Sequence, residues 1–169
     1  ADLEQADSVL AEMERVHPGG VLSPLQRAFL MTDAAVMYAA ATRERFPDST
    51  TLADHPAVYA ERGVAQAETA VQRAPHLFDA WYRLGRSLWR LDDFRHDTTL
   101  ERRSLEALRR ASDLGGERAS VWTLRGQIEL KQNLPKEALY STGRGQEADV
   151  LKQFGPELLR LRLDAFTQL

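Results

Sequence analysis

Apolar residues recur at three- and four-residue intervals along almost the whole chain, and strand-like alternation is scarce. That interval is the period of one helix face, so the chain must fold by packing helix against helix. Glycine and proline punctuate the pattern. His17-Pro18-Gly19-Gly20 ends a first helix whose stripe is Ala6, Val9, Leu10 and Met13. Ser23 is read as the N-cap of a second helix, with Pro24 at its first position, running to about Phe46. Pro47 to Thr51 has loop chemistry. Further helices are predicted from Pro56 to Pro75, from Asp79 to Leu91, and from Thr98 to Gly115-Gly116. The last three run from Glu117 to Lys131, onward from Pro135, and from Pro156 to the end. Asp92 to Asp97 is expected to be a polar connector, and Thr98 with Glu101 a capping box.

Composition narrows the class further. Of 169 residues, 43% are hydrophobic and 28% charged, which fits a globular core rather than disorder. There is no cysteine, so disulfides, thiolate metal sites and a cysteine nucleophile are ruled out, while the compartment stays open between cytosol and periplasm. No apolar run reaches the ~20 residues of a membrane span. The net charge of −3 argues against a nucleic-acid partner. That charge is uneven. Residues 1–78 hold 6 basic and 11 acidic groups, a net −5, whereas residues 79–131 hold 11 and 9, a net +2.

The helices repeat. Aligned on the breaks at Pro18, Pro75 and Gly116, matched offsets hold Met13, Ala70 and Ala111, then Leu10, Ala67 and Leu108, then Ala6, Gly63 and Ser104. Small or apolar residues at such offsets suit helices that approach closely. The helix after each break also matches. Trp81-x-x-Leu84-Gly85-x-x-Leu88 is followed 41 residues later by Trp122-x-x-Arg125-Gly126-x-x-Glu129, and Ala138 lies 16 residues beyond Trp122. Met31, Ala34, Ala35 and Tyr38 stand in the corresponding places of an earlier pair. This pattern resembles the tetratricopeptide repeat family, whose period is about 34 residues. The seven extra residues are assigned to a longer connector around Asp93 to Thr99.

The resemblance covers most of the chain. It implies an all-α fold, a right-handed superhelix of about three irregular hairpins plus terminal helices. Residues 1–18 read as a partial or capping helix, 23–75, 78–116 and 119–150 as three hairpins, and 156–169 as a C-terminal capping helix. It also implies a non-enzymatic module that binds a protein or peptide in a concave groove lined by the first helix of each pair. The partner-binding positions would then be Tyr82, Arg86, Trp89 and Arg90, with Asp79 on the same face, followed by Thr123, Gln127 and Lys131 and preceded by Phe29, Thr32, Val36 and Ala40. Arginine forks and aromatic faces suit a partner with acidic and apolar residues. The family's clamp for a C-terminal carboxylate uses lysine and asparagine where this chain has Tyr82 and Arg86, so that mode does not transfer. The alternative is a structural or oligomerisation element. The last helix spreads Leu158, Leu159, Leu161, Leu163, Ala165, Phe166 and Leu169 over about half its circumference: either both sides are buried, one against the array and one by a bend in the chain, or Leu158, Leu161, Ala165, Phe166 and Leu169 form a surface for a homo-oligomer or a further domain.

Catalytic signatures are absent. There is no phosphate loop, no nucleophile elbow and no paired-histidine metal motif, and no cofactor or metal is implied. Gly143-Arg144-Gly145 reads as helix packing or a helix break. His17, His55 and His76 sit beside prolines at helix ends, where capping is the expected role. His96 belongs to the acidic connector, whose aspartate is expected to cap the next helix.

Overall fold

The computed structural model describes residues 2–45, 54–115 and 118–169. Among these residues the fold is all-α, with no strand. The helices are α1 (Asp2–Val16), α2 (Leu22–Arg45), α3 (Asp54–Arg73), α4 (Phe78–Arg95), α5 (Thr98–Gly115), α6 (Ala119–Lys131), α7 (Pro135–Ala148) and α8 (Gly155–Thr167). The dominant packing pairs are α2 with α3, α4 with α5, and α6 with α7, so each neighbouring pair is a hairpin. The first helices also touch one another in series, α2 to α4, α4 to α6 and α6 to α8. They form one continuous face, and α1 and α8 flank the array.

The repeated small residues explain the pairing. A Cβ on Gly85 would stand 2.6 Å from the Leu108 side chain and 3.2 Å from the Ser104 carbonyl on α5. Because Gly85 has no Cβ, the Ser104 hydroxyl reaches its carbonyl at 2.6 Å. Gly126 meets Thr142 of α7 in the same way, and Gly63 meets Thr32 of α2. Two apolar clusters, one around Leu88 and one around Leu108, form the core, and Trp81 packs against both.

Glycine identity therefore has opposite meanings at two helical sites. Gly143→Ala should stabilise the fold by about 0.5–1 kcal/mol, since nothing lies within 4 Å and alanine is the better helix former. Gly85→Ala gains the same propensity but forces α4 from α5, and overpacking should leave it about 1–2 kcal/mol less stable. Denaturant midpoints of the two variants check the signs.

Several sequence expectations change. The seven extra residues do not lengthen a connector: α4 and α5 have 18 residues each, against 13 and 14 in α6 and α7, and only His96-Asp97 joins them. Asp92 consequently sits inside α4 and is fully buried. Asp97, not Thr98, caps α5, its carboxylate accepting the Thr99 amide at 2.8 Å, and Glu101 turns inward instead of closing a box. Backbone hydrogen bonding to Thr99 lowers the Asp97 pKa. Ser23 is no N-cap either. It lies within α2, buried, and donates its hydroxyl to the Leu10 carbonyl of α1. For Gly143-Arg144-Gly145 the packing alternative holds and the helix break does not: the segment is continuous helix, with Gly145 against Leu158 and Trp122. His55 begins α3 rather than ending a helix, so cation capping of a C-terminus does not apply to it. The loop expected at Pro47 to Thr51 and the Gly116 cap lie outside the described residues.

The third hairpin departs from the motif in a self-consistent way. Arg125 and Glu129 hold the places that Leu84 and Leu88 hold in α4. They pair with each other at 3.3 Å, and Arg125 also donates to Ser112 of α5 at 2.9 Å. One charge without the other would be costly in such a buried place; together they replace an apolar contact.

Candidate functional site on the first-helix face

The face shared by α2, α4, α6 and α8 carries two clefts. One, of about 350 Å³, lies between α2 and α4 and is lined by Val36, Ala39, Ala40, Arg90, Asp93 and Phe94. The other, of about 440 Å³, is lined from α4 by Trp89, from α6 by Gln127, Leu130 and Lys131, and from α8 by Arg160 and Asp164. Helical spacing creates this arrangement. Trp89 and Arg90 are neighbours on α4 that diverge by 100°, so each turns towards a different cleft.

The sequence-derived positions separate into three kinds. Trp89, Gln127 and Lys131 meet in the second cleft, and Arg90, Val36 and Ala40 meet in the first. Tyr82 stacks on Phe78, with ring centroids 5.8 Å apart and planes 12° apart, and Asp79 pairs with Arg118. Arg86 spans α4 to α2 through a 2.5 Å ion pair with Asp33 and lies 5.4 Å from the Phe29 ring. Thr123 and Thr32 line neither of these two clefts. Thr123 is buried and bonds its own helix at the Ala119 carbonyl. Thr32 is buried where α2, α3 and α4 meet, sharing a 2.8 Å hydrogen bond with Ser87.

Charge on this face is already largely organised. Lys131 contacts Asp92 and also Glu101 at 2.8 Å, while its ammonium sits 4.7 Å from the Trp89 ring centroid. Partial burial pulls its pKa down, but the hydrogen bonds to Asp92 and Glu101 outweigh it and the net shift is upward. Arg90 pairs with Asp93 at 3.1 Å, both side chains well exposed, an arrangement of little energetic weight. Gln127 hydrogen-bonds Glu157 of α8.

Two residues of this face escape sequence reasoning. Arg160 is exposed at the second cleft and has no ion pair among the described residues. Its place depends on how α8 docks, which no local pattern specifies. Arg83 is half-buried over Phe29, 4.5 Å from the ring centroid. Burial, then the nearby Arg86 charge, lowers its pKa. The i, i+3, i+7 spacing that picks out Tyr82 and Arg86 passes over it.

The terminal helix is also resolved. Leu158, Leu161 and Ala165 are buried, because α8 packs them against α6 and α7, so they are not available for self-association. Phe166 and Leu169 are exposed and are joined on the surface by Leu159 and Leu163. No group of three or more His, Asp or Glu residues able to hold a metal ion occurs among the described residues. No described helix is long and apolar enough to cross a membrane.

No family model matches the chain, and no curated protein matches it in sequence. Solved structures similar to it include residues 41 to the end of MamA from Desulfovibrio magneticus RS-1, and a double mutant described as MamA RS-1 ArsTM. Each is 16% identical with a TM-score of 0.48, over 89% of this chain and 88% and 87% of the respective structures. The helical-hairpin architecture follows from the packing of α1 to α8 described above.

Proposed function

We propose that this protein is a non-enzymatic interaction module that binds a peptide or a segment of a protein along the face of α2, α4, α6 and α8. The observation that carries the reading is the second cleft. It combines the aromatic surface of Trp89, the amide of Gln127 and the uncommitted guanidinium of Arg160 over one apolar floor that includes Leu130 and Leu161. An aromatic floor accepts an apolar side chain, and a guanidinium pairs with a carboxylate in two-pronged geometry. Arg90 extends the same character into the first cleft. A partner rich in acidic and apolar residues fits both clefts. Lys131 contributes the wall of the site rather than a free charge, since two carboxylates already hold it.

Panning a peptide-display library on the 169-residue chain tests this. Enriched peptides are expected to combine acidic and apolar residues. The double variant Arg90→Glu, Arg160→Glu should bind the best of them at least about tenfold more weakly at low salt, with an unchanged melting profile. Equal affinity in the variant would remove the groove from consideration.

A second reading is self-association through α8, favoured by the exposed Leu159, Leu163 and Phe166 at i, i+4 and i+7.

A further inference from the structure

We infer that Arg83 and Arg86 hold a side-chain carboxylate of the bound peptide beside Phe29, and that an apolar side chain about three residues away on the same extended peptide enters the cleft between α2 and α4. The inference rests on the peptide-binding reading and sets part of its register.

The seam between α2 and α4 places two guanidinium groups around one ring. The Arg83 Cζ lies 4.5 Å and the Arg86 Cζ 5.4 Å from the centroid of Phe29. Phe29 is still 39% exposed, so ring and cations are open to the first-helix face. The two arginines are not equivalent. Arg86 donates Nη2 to Asp33 at 2.5 Å. Arg83 has neither an ion pair nor a side-chain hydrogen bond among the described residues. A guanidinium over an aromatic ring uses its flat face there and keeps its in-plane N–H donors for a pair of oxygens. Burial, then the Arg86 charge, lowers the Arg83 pKa, as expected of a cation short of nearby negative charge. Asp33 balances one of the two arginines and leaves the other positive charge over. A single carboxylate supplies what is missing.

The register follows from the direction of the helices. Phe29 stands beside Arg83, Asp33 beside Arg86 and Val36 beside Arg90, so numbers rise together and α2 and α4 run parallel. Seven residues separate Phe29 from Val36, and seven separate Arg83 from Arg90. Seven residues of helix rise about 10 Å, the span of about three residues of extended chain. The cleft reached at that point has Val36, Ala39, Ala40 and Phe94 as apolar walls. Its one cation and one acid, Arg90 and Asp93, balance each other.

Peptides recovered by display on the 169-residue chain should carry an aspartate or glutamate about three residues from an apolar residue. For the tightest of them, exchanging that acid for its amide should weaken binding to the wild-type chain about tenfold at low salt. Arg83→Met keeps an apolar stem on Phe29 and should leave the circular dichroism unchanged. It should weaken the acidic peptide as much, and the amide peptide no further. Arg83→Lys keeps a cation at the ring without the fork, serves in place of the methionine variant if that one unfolds, and should bind with intermediate affinity. Amidating the peptide's own C-terminus should change nothing. Arg83→Met and Arg83→Lys binding the acidic peptide as wild type does, while Arg90→Glu, Arg160→Glu weakens it, would overturn the inference and leave the peptide-binding reading standing. Loss of the Arg83 effect on amidating the C-terminus would overturn it too, since the group held would be a chain end. Recovery of no acidic peptide, or equal affinity in every variant, removes both the inference and the reading.

Discussion

Replacing Trp122 with alanine should destabilise the protein by about 3–5 kcal/mol, the range for truncating a buried large aromatic. The indole is 5% exposed and sits in the core of the third hairpin. Tyr140 of α7 meets it edge-on with centroids 6.0 Å apart, and the Arg125 guanidinium lies 4.6 Å from its ring. A Cβ on Gly145 of α7 would come within 3.3 Å of the Trp122 Cβ, so the two helices already approach closely beside the indole. For a domain of this size the melting temperature should fall by roughly 6–20 °C. Loss of the indole also leaves Arg125 without the ring beside it, while its pairing with Glu129 remains. A change below about 1 kcal/mol would contradict the register in which Trp122 and Gly126 face α7.

Lys131→Met should cost about 2–3 kcal/mol and act through two carboxylates. Asp92 is fully buried and Glu101 is 8% exposed, and both are contacted by the Lys131 ammonium. Removing one partner of an enclosed pair usually costs about 3–5 kcal/mol; the lower figure is expected here because the lysine side chain is 41% exposed and water screens it. The cost is electrostatic, so it should shrink in an Asp92→Asn background. A double-mutant cycle measured by urea denaturation separates this coupling from simple loss of packing on Trp89. A zero coupling energy would mean that Lys131 is free to serve a ligand.

Those two variants mark what the sequence discloses and what it conceals. Trp122, Gly85 and Gly126 are legible because close helix packing demands a large residue and a missing side chain at a fixed interval. The hairpin order follows from them. The fate of charged residues is not legible in that way. Arg86, Arg90 and Lys131 share a helix face by spacing, but whether each points its charge at solvent or at Asp33, Asp93 and Asp92 depends on acids 53, three and 39 positions away. Thr123 and Thr32 illustrate the same limit: a short polar residue on the predicted face is drawn into the core once it bonds its own helix carbonyl. Acidic runs favour loops, which points to a connector at Asp92; about one additional helical turn beyond Leu91 and a lysine from α6 hold it inside instead. Arg160 joins the cleft only through the docking of α8, a tertiary relation with no local signature.

The three tryptophans allow a direct measurement of the central claim. Trp89 lines the cleft among α4, α6 and α8, Trp81 donates its indole N–H to the Pro75 carbonyl at 2.8 Å, and Trp122 is enclosed by α7. Each gives one indole resonance in a nitrogen-15 correlation spectrum, and Trp89→Phe identifies the first. Titration with a display-selected acidic and apolar peptide should move or broaden the Trp89 signal while those of Trp81 and Trp122 hold their positions. A Trp89 signal that stays fixed at saturating peptide, with shifts confined to Trp81 or Trp122, would contradict binding on the first-helix face.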